Sequence, residues 1–224
     1  MLLDSSPPIL FLDTVLNPKN SDTKKIIHIG ASLVTKEHPV DEAFANAAQV
    51  AVDTNIFDEG RDYNEVVAYL EPKIYRSTWI GNKAIYRSRL LIADGGRLKI
   101  IAPGVDRFGE DPSIDSVLRT YGYRGEESIK KMKNDGALDA NLAAAAHILH
   151  SSTFDRFTVE YVAPNLGREE VEGVGFTFSE YLDASEDSLH TNEDYEGDQL
   201  FNVDEEGRLH IFHPGVALWK GTAK

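Results

Sequence analysis

No cysteine occurs among the 224 residues. A disulfide framework, a thiolate metal site and a cysteine nucleophile are thereby excluded, and the absence suits a reducing cytoplasm. Cations are also scarce. Against 37 Asp and Glu stand 23 Lys and Arg, leaving a net charge of −14. Such a surface does not attract nucleic acid or an anionic membrane. No basic tract offsets it, so neither is an expected partner. No apolar run approaches the length of a membrane span. The opening Met1-Leu2-Leu3-Asp4-Ser5-Ser6-Pro7-Pro8 has no cationic flank and no long apolar core, so it does not read as a signal peptide. The expected setting is soluble and cytoplasmic. Three motifs are missing too: G-x-G-x-x-G, G-x-x-x-x-G-K-[ST] and G-x-S-x-G. Dinucleotide, P-loop and nucleophile-elbow chemistry lose their support.

What is present is ordinary globular material, 42% hydrophobic and 27% charged, enough for a sizeable core in one large domain or two small ones. Residues 9–15 and 25–30 read as strands. Residues 39–52 carry Ala43, Phe44, Ala47, Ala48 and Ala51 at helical spacing. Residues 52–57 and 65–70 look extended, 76–93 helical, and 98–102 a buried strand. Helices are expected over 112–121, 126–134 and 138–150, the first capped by Asp111 with Pro112 in its first position. Residues 156–162 read as a strand, 168–174 as a short helix and 208–212 as a last strand. From 180 to 206 acids crowd the chain, which reads as a solvated, loosely ordered segment rather than a calcium loop. Strands alternating with helices give an α/β class: a layered, mixed or mostly parallel sheet with helices on both faces. There is no internal repeat, and the best candidate boundary is 57–64.

One stretch stands out chemically. Trp79-Ile80-Gly81-Asn82-Lys83-Ala84-Ile85-Tyr86-Arg87-Ser88-Arg89 puts three cations on one expected helix, followed by Asp94-Gly95-Gly96 and an apolar strand. At about 100° per residue, Ile80, Ala84, Ser88 and Leu91 form the buried stripe. Trp79, Lys83, Arg87 and Leu90 lie in an arc beside it, with Asn82 and Arg89 pointing elsewhere. Lys83 and Arg87, one turn apart, can face a single carboxylate. The competing reading, favoured on the residues alone, is that both cations cover apolar surface and keep their charge in water. His147 and His150 sit three apart on one helical flank, yet two ligands without a third nearby are not a metal site, and no metal is expected. A helix end packed through small residues is the simpler reading. Gly95-Gly96 and Pro103-Gly104 read as turns. Arg119, Tyr121, Tyr123 and Arg124 read as a structural cluster.

The run 77–104 resembles the C-terminal half of lactate-racemase-like proteins. So do Arg107-Phe108-Gly109-Glu110-Asp111, Ile114-Asp115, Tyr121-Gly122-Tyr123-Arg124-Gly125, Asn141-Leu142 and Ala145-Ala146-His147. His150-Ser151-Ser152, Arg156-Phe157 and Glu169-Glu170-Val171-Glu172 complete the set. The branch labelled D-mannonate epimerase is the closest match, and Pro214-Gly215-Val216-Ala217-Leu218-Trp219 resembles its ending. The resemblance implies a racemase or epimerase acting at C2 of a hydroxy acid or sugar acid. In that family a nickel-pincer nucleotide accepts and returns a hydride while a histidine pair serves as acid and base. Those groups belong to the N-terminal half, which nothing in this chain matches. The C-terminal half supplies a lysine and polar neighbours around the substrate carboxylate. Lys83 matches that lysine as the catalytic candidate, although Ile80 stands where lactate racemases carry glutamine. Arg87, Trp79, Asn82, His150 and Ser151 are the candidate substrate contacts.

The resemblance thus implies one wall of an interdomain cleft, a small carboxylate substrate, and a partner that is either the N-terminal half of the same protein or a separate subunit. The nickel-pincer nucleotide is implied for the complete enzyme and not expected on this chain. The chain is a fragment, one part of a split enzyme, or a domain kept for another purpose; in each case it is expected to be inactive alone. The alternative is a non-catalytic domain that binds a sugar acid or a protein partner.

Overall fold

The computed structural model describes residues 9–16, 26–34, 42–180 and 200–222. Two compact units meet in the sequence between Phe57 and Asp58, inside the expected boundary.

In the first unit, β1 (Ile9–Leu16) and β2 (Ile26–Val34) form an antiparallel hairpin, and α1 (Glu42–Asn55) packs against it. Side chains alternate across a strand, so the register sorts the residues. Val15 and Ser32 are buried on one face, and Gly30 approaches Ala43 of the helix. The opposite face gathers Leu10, Leu12, Ile29 and Leu33, paired as Leu10 with Leu33 and Leu12 with Ala31; these four are 54–71% exposed. The expected extended stretch 52–57 is corrected here. The helix runs on to Asn55 because Gln49 bonds Asp53 at 2.8 Å and the Thr54 hydroxyl donates to the Val50 carbonyl at 2.6 Å. Only then does β3 (Ile56–Asp58) begin. The expected helix start at 39–41 lies outside the described residues.

The second unit is built on a six-stranded sheet. Its strands are β4 (Tyr63–Tyr69), β5 (Ile92–Ile101), β6 (Thr158–Val162), β7 (Thr177–Phe178), β8 (Phe201–Val203) and β9 (Leu209–Ile211), in the order β7-β6-β5-β4-β9-β8. Every pairing is parallel except β8 with β9. This is the α/β class with the mostly parallel sheet that the sequence pattern anticipates. The register aligns Val66, Ala68, Leu98, Ile100, Val159, Tyr161, Leu209 and Ile211 on one face, all buried. Each such aliphatic side chain contributes about 1.5–3 kcal/mol on burial. From β4 to β7 the chain steps in one direction, so right-handed crossovers bring the intervening helices over that same face, not over both faces as the sequence pattern implies. These are α2 (Thr78–Gly81), α3 (Lys83–Ser88), α4 (Pro112–Tyr121), α5 (Glu126–Asn134), α6 (Leu142–His150) and α7 (Arg168–Gly173). On the other face Arg97 bridges Glu65 at 2.8 Å and Glu160 at 3.1 Å across three adjacent strands. A short strand, β10 (Leu218–Lys220), ties back to the start of the unit: Lys220 pairs with Asp58 and its carbonyl accepts from Glu59.

Three differences from the sequence expectation shape the site. The single helix over 76–93 is two short helices hinged at Asn82. Gly81 lies so close to Leu70 and Tyr161 that a Cβ there would sit 2.8 Å from the Leu70 side chain; tight packing against the sheet sets the break. The second helix ends at Ser88 because Leu90 is drawn into a bridge with Lys220 of β10. Next, Asp94-Gly95-Gly96 is a bulge inside β5 rather than a turn: Tyr63 faces Ile92 and Glu65 faces Arg97, so β5 carries extra residues between them. Gly95 has φ +79°, a conformation that favours glycine, and its amide reaches the Arg156 carbonyl at 2.6 Å. Finally, residues 138–150 are a 3-10 turn (Asp139–Asn141) followed by α6, because the Asn141 side chain bonds the Ala137 carbonyl. Of the acidic stretch, 181–199 lies outside the described residues. Residues 200–206 are ordered, with β8 and a turn whose Asp204 accepts from the Glu206 and Arg208 amides.

Candidate functional site

Ser77 begins the local geometry. Its hydroxyl accepts from the Ile80 amide and caps α2, while its bond to Glu110 and the bridge to Arg107 anchor the segment to the loop before α4. That loop is held by Asp115, which accepts from Phe108 and Gly109 at 2.7 and 3.0 Å and pairs with Arg119. Asp111 caps α4 through Ser113 and Ile114. The outcome is a fixed platform from which α2 and α3 project their side chains toward α6.

Two aromatic contacts define that seam. Trp79 lies on the His147 ring at a centroid distance of 4.2 Å, and Tyr86 meets His150 edge-on at 4.1 Å. The ring of His147 also meets Tyr123, whose hydroxyl is 3.3 Å from Nε2 and 2.8 Å from the Thr78 hydroxyl. Burial lowers the His147 pKa to about 4, and His150 nearby adds to the effect, so its ring is neutral at pH 7. His150 is shifted down as well, first by partial burial and then by Arg89 and Arg87. Burial pushes the Tyr123 phenol well above its ordinary value.

Lys83 and Arg87 stand one turn apart on α3. Among the described residues neither has an acidic partner within ion-pair distance, in a chain where acids outnumber bases. Tyr75 closes one side. Its phenol oxygen accepts from the Gly215 amide, and Tyr86 and Arg87 are its charged or titratable neighbours. The approach is close: a Cβ on Gly215 would strike the Tyr75 hydroxyl and lie 3.4 Å from Cδ of Lys83. Two guanidinium or ammonium groups with free valences, two phenols and a weakly basic imidazole make a surface suited to an oxyanion.

The six candidates from the sequence separate here. Trp79 and His150 belong to this seam, Arg87 lies near both His150 and Tyr75, and Lys83 lies by Gly215 beside Tyr75. Asn82 and Ser151 do not face outward. Asn82 is 0% exposed and Ser151 1%, and their side-chain polar atoms have no partner among the described residues. The hinge at Asn82 turns its amide inward, which a continuous helix would not do. Tyr75, Tyr123 and Gly215 were not anticipated as site residues. Tyr75 and Gly215 are 140 positions apart, and no local pattern joins them. Among the described residues no three His, Asp or Glu side chains converge to hold a metal ion, so the His147 and His150 pair has no completing ligand there. No described helix is long and apolar enough to cross a membrane.

No protein-family model and no curated protein matches the sequence. Solved structures do match. A protein from Thermotoga maritima superposes with a TM-score of 0.66 at 20% identity over 95% of this chain and 49% of its own. The lactate racemase apoprotein from Thermoanaerobacterium thermosaccharolyticum gives 0.61 at 12% identity over 94% and 46%. The chain therefore has a lactate-racemase-like fold and spans about half the length of these structures. At such identities the likeness carries the fold; function has to be argued from the site.

Proposed function

We propose that this chain forms one wall of the active site of a racemase or epimerase acting at C2 of a hydroxy acid or sugar acid, akin to the D-mannonate epimerase-like branch. The observation that carries the reading is the unpaired Lys83 and Arg87 around Tyr75, with His150 next to Arg87, on a fold shared with a lactate racemase. The ammonium and guanidinium hold the substrate carboxylate by charge-assisted hydrogen bonds. Trp79, packed on His147, and Tyr86, packed on His150, form the flanks that orient it. Lys83 is the catalytic candidate, closest in role to the family's lysine, and Arg87 the substrate contact. The complementing half, whether part of a longer chain or a separate subunit, brings the acid–base pair. The nickel-pincer nucleotide belongs to that half in this reading, as the family resemblance implies. The absence of cysteine favours a cytoplasmic setting.

Titration of the labelled chain with lactate and with mannonate tests the reading. Saturable shifts around Lys83 and Arg87 are expected. Lys83→Ala or Arg87→Ala should weaken binding by roughly tenfold or more, the scale of one charge-assisted hydrogen bond, without lowering thermal stability. Binding that ignores both substitutions sinks the proposal. With the complementing half present, Lys83→Ala abolishes turnover; unchanged turnover removes Lys83 from the mechanism.

Of a second reading, a non-catalytic sugar-acid- or partner-binding domain, the first unit favours the partner-binding form. Its hairpin face of Leu10, Leu12, Ile29 and Leu33 is apolar and exposed, which soluble proteins generally reserve for a contact. The two readings part on whether a complementing half confers turnover.

A further inference from the structure

The strand order of the six-stranded sheet changes direction at β4. Strands β5, β6 and β7 follow on one side of it, while β9 and β8 lie on the other. In open parallel sheets, ligands settle in the crevice that such a reversal leaves beyond the carboxyl ends of the adjoining strands. Here those ends are Tyr69 of β4 and Ile211 of β9, and the two strands are parallel. The segment leaving β4 carries Tyr75, and the turn leaving β9 carries Gly215. The two meet. The Gly215 amide faces the Tyr75 oxygen, and the stem of Lys83 passes the same glycine. Topology and contacts thus point to one place.

Four side chains around that place have hydrogens to give: the Lys83 ammonium, the Arg87 guanidinium and the phenols of Tyr75 and Tyr86. Arg87 is the charged neighbour of both phenols. Among the described residues no acceptor takes a hydrogen from any of the four. Burial raises the pKa of both phenols, so each keeps its hydrogen at neutral pH. The Tyr75 ring is buried, whereas Lys83, Arg87 and Gly215 are partly exposed, which puts the phenol oxygen at the rim. Gly215 is not in the left-handed region, so backbone freedom does not account for it. Room does: a Cβ there would strike the Tyr75 hydroxyl. We infer that Tyr75 is a further substrate-binding residue, its hydroxyl giving the acid held by Lys83 and Arg87 a third hydrogen bond, with Gly215 as the positioning residue that leaves the phenol its place. The inference rests on the carboxylate site proposed above. It adds where the ligand lies, at the mouth of the crevice between β4 and β9, and it calls for a ligand rich in acceptor oxygens.

Titration of the intact chain with lactate and with mannonate tests it. Tyr75→Phe keeps the ring and removes only the hydroxyl; it should weaken binding roughly tenfold, the scale of one hydrogen bond to a charged acceptor. Gly215→Ala should weaken binding to a similar degree in the parent and add little in Tyr75→Phe, where the new Cβ meets no hydroxyl. In the unaltered chain, carbon-13 at the tyrosine ζ position reports the phenol directly: the resonance missing from Tyr75→Phe should move as the acid saturates. Binding that weakens with Lys83→Ala but not with Tyr75→Phe, or a Tyr75 resonance that stays still at saturation, overturns the inference and leaves the carboxylate site standing. Equal losses from Gly215→Ala in both backgrounds overturn the part given to Gly215. If the unaltered chain binds neither acid, the carboxylate site itself fails and the role of Tyr75 with it.

Discussion

Acid should loosen this protein through His147, and the size of the effect follows from the fold. The ring is held between Trp79 and Tyr123 with its neutral form favoured; its pKa falls from 6.5 to about 4 on folding. A histidine that resists protonation in the folded state binds fewer protons than its unfolded counterpart between those two values. Stability from this group is thus complete above pH 6.5, declines as the pH falls through the window, and levels off below pH 4. The whole shift corresponds to roughly 3 kcal/mol, of which about 2 kcal/mol is lost between pH 7 and pH 5. One edge of the ring reaches solvent, which trims the figure rather than removing it. Urea unfolding at the two pH values, followed by tryptophan fluorescence, measures the loss. Carboxylates held low by their hydrogen bonds, such as Asp115, and the depressed His150 and His213 also respond to acid, so the informative quantity is the difference from His147→Phe. That variant should be less stable at pH 7 by about the value of one hydrogen bond, yet should lose about 2 kcal/mol less than the parent on going to pH 5. Equal losses in the two proteins would refute the placement of a neutral, sheltered imidazole at the α2–α6 seam.

Two further predictions concern the platform beneath the site. Asp111→Ala removes the acceptor for the Ser113 and Ile114 amides and should cost about 1 kcal/mol, with Asp111→Asn recovering most of it in thermal unfolding. Gly104→Ala would drive a Cβ into the backbone of Pro72 and should destabilise by about 1–3 kcal/mol. Gly60→Ala meets nothing within 4 Å but has φ +63°, so it should show the smaller cost of a left-handed backbone alone; equal effects would contradict the packing at Gly104.

Local signals in the sequence proved reliable where the physics is local. Asp111 and Pro112 start α4 where expected, and residues 126–134 form α5 to the residue. The break at Asn82 could not be read the same way, because its cause is Leu70 and Tyr161 pressing on Gly81, contacts set by the sheet rather than by neighbours in the chain. The bulge at Asp94-Gly95-Gly96 is likewise fixed by Arg156, more than 60 positions on, whose guanidinium reaches Asp94, Arg89 and Ile92. Strands β7, β8 and β10 are two or three residues long, too short for an alternation to register. Within the site the helical spacing put Lys83 and Arg87 one turn apart, as they stand on α3, while Trp79 lies on the other side of the break at Asn82. It could not bring in Tyr75, Tyr123 or Gly215, which arrive from separate loops, nor reveal that Asn82 and Ser151 turn inward.

The position of β9 has a consequence for how the chain is made. Residues 209–211 lie beside β4, between it and β8, although nearly 140 residues separate them from β4 in sequence. During synthesis β4, β5, β6 and the helices between them leave the ribosome first and can assemble in order. Until the last few dozen residues follow, one side of β4 offers unsatisfied amides and carbonyls beside Val66 and Ala68. At about 5–20 residues per second, that open edge persists for seconds on every nascent chain. Chaperone dependence and aggregation during expression should therefore track how promptly 200–211 is translated, and a stalled or truncated transcript should yield not a partly working protein but an adhesive one.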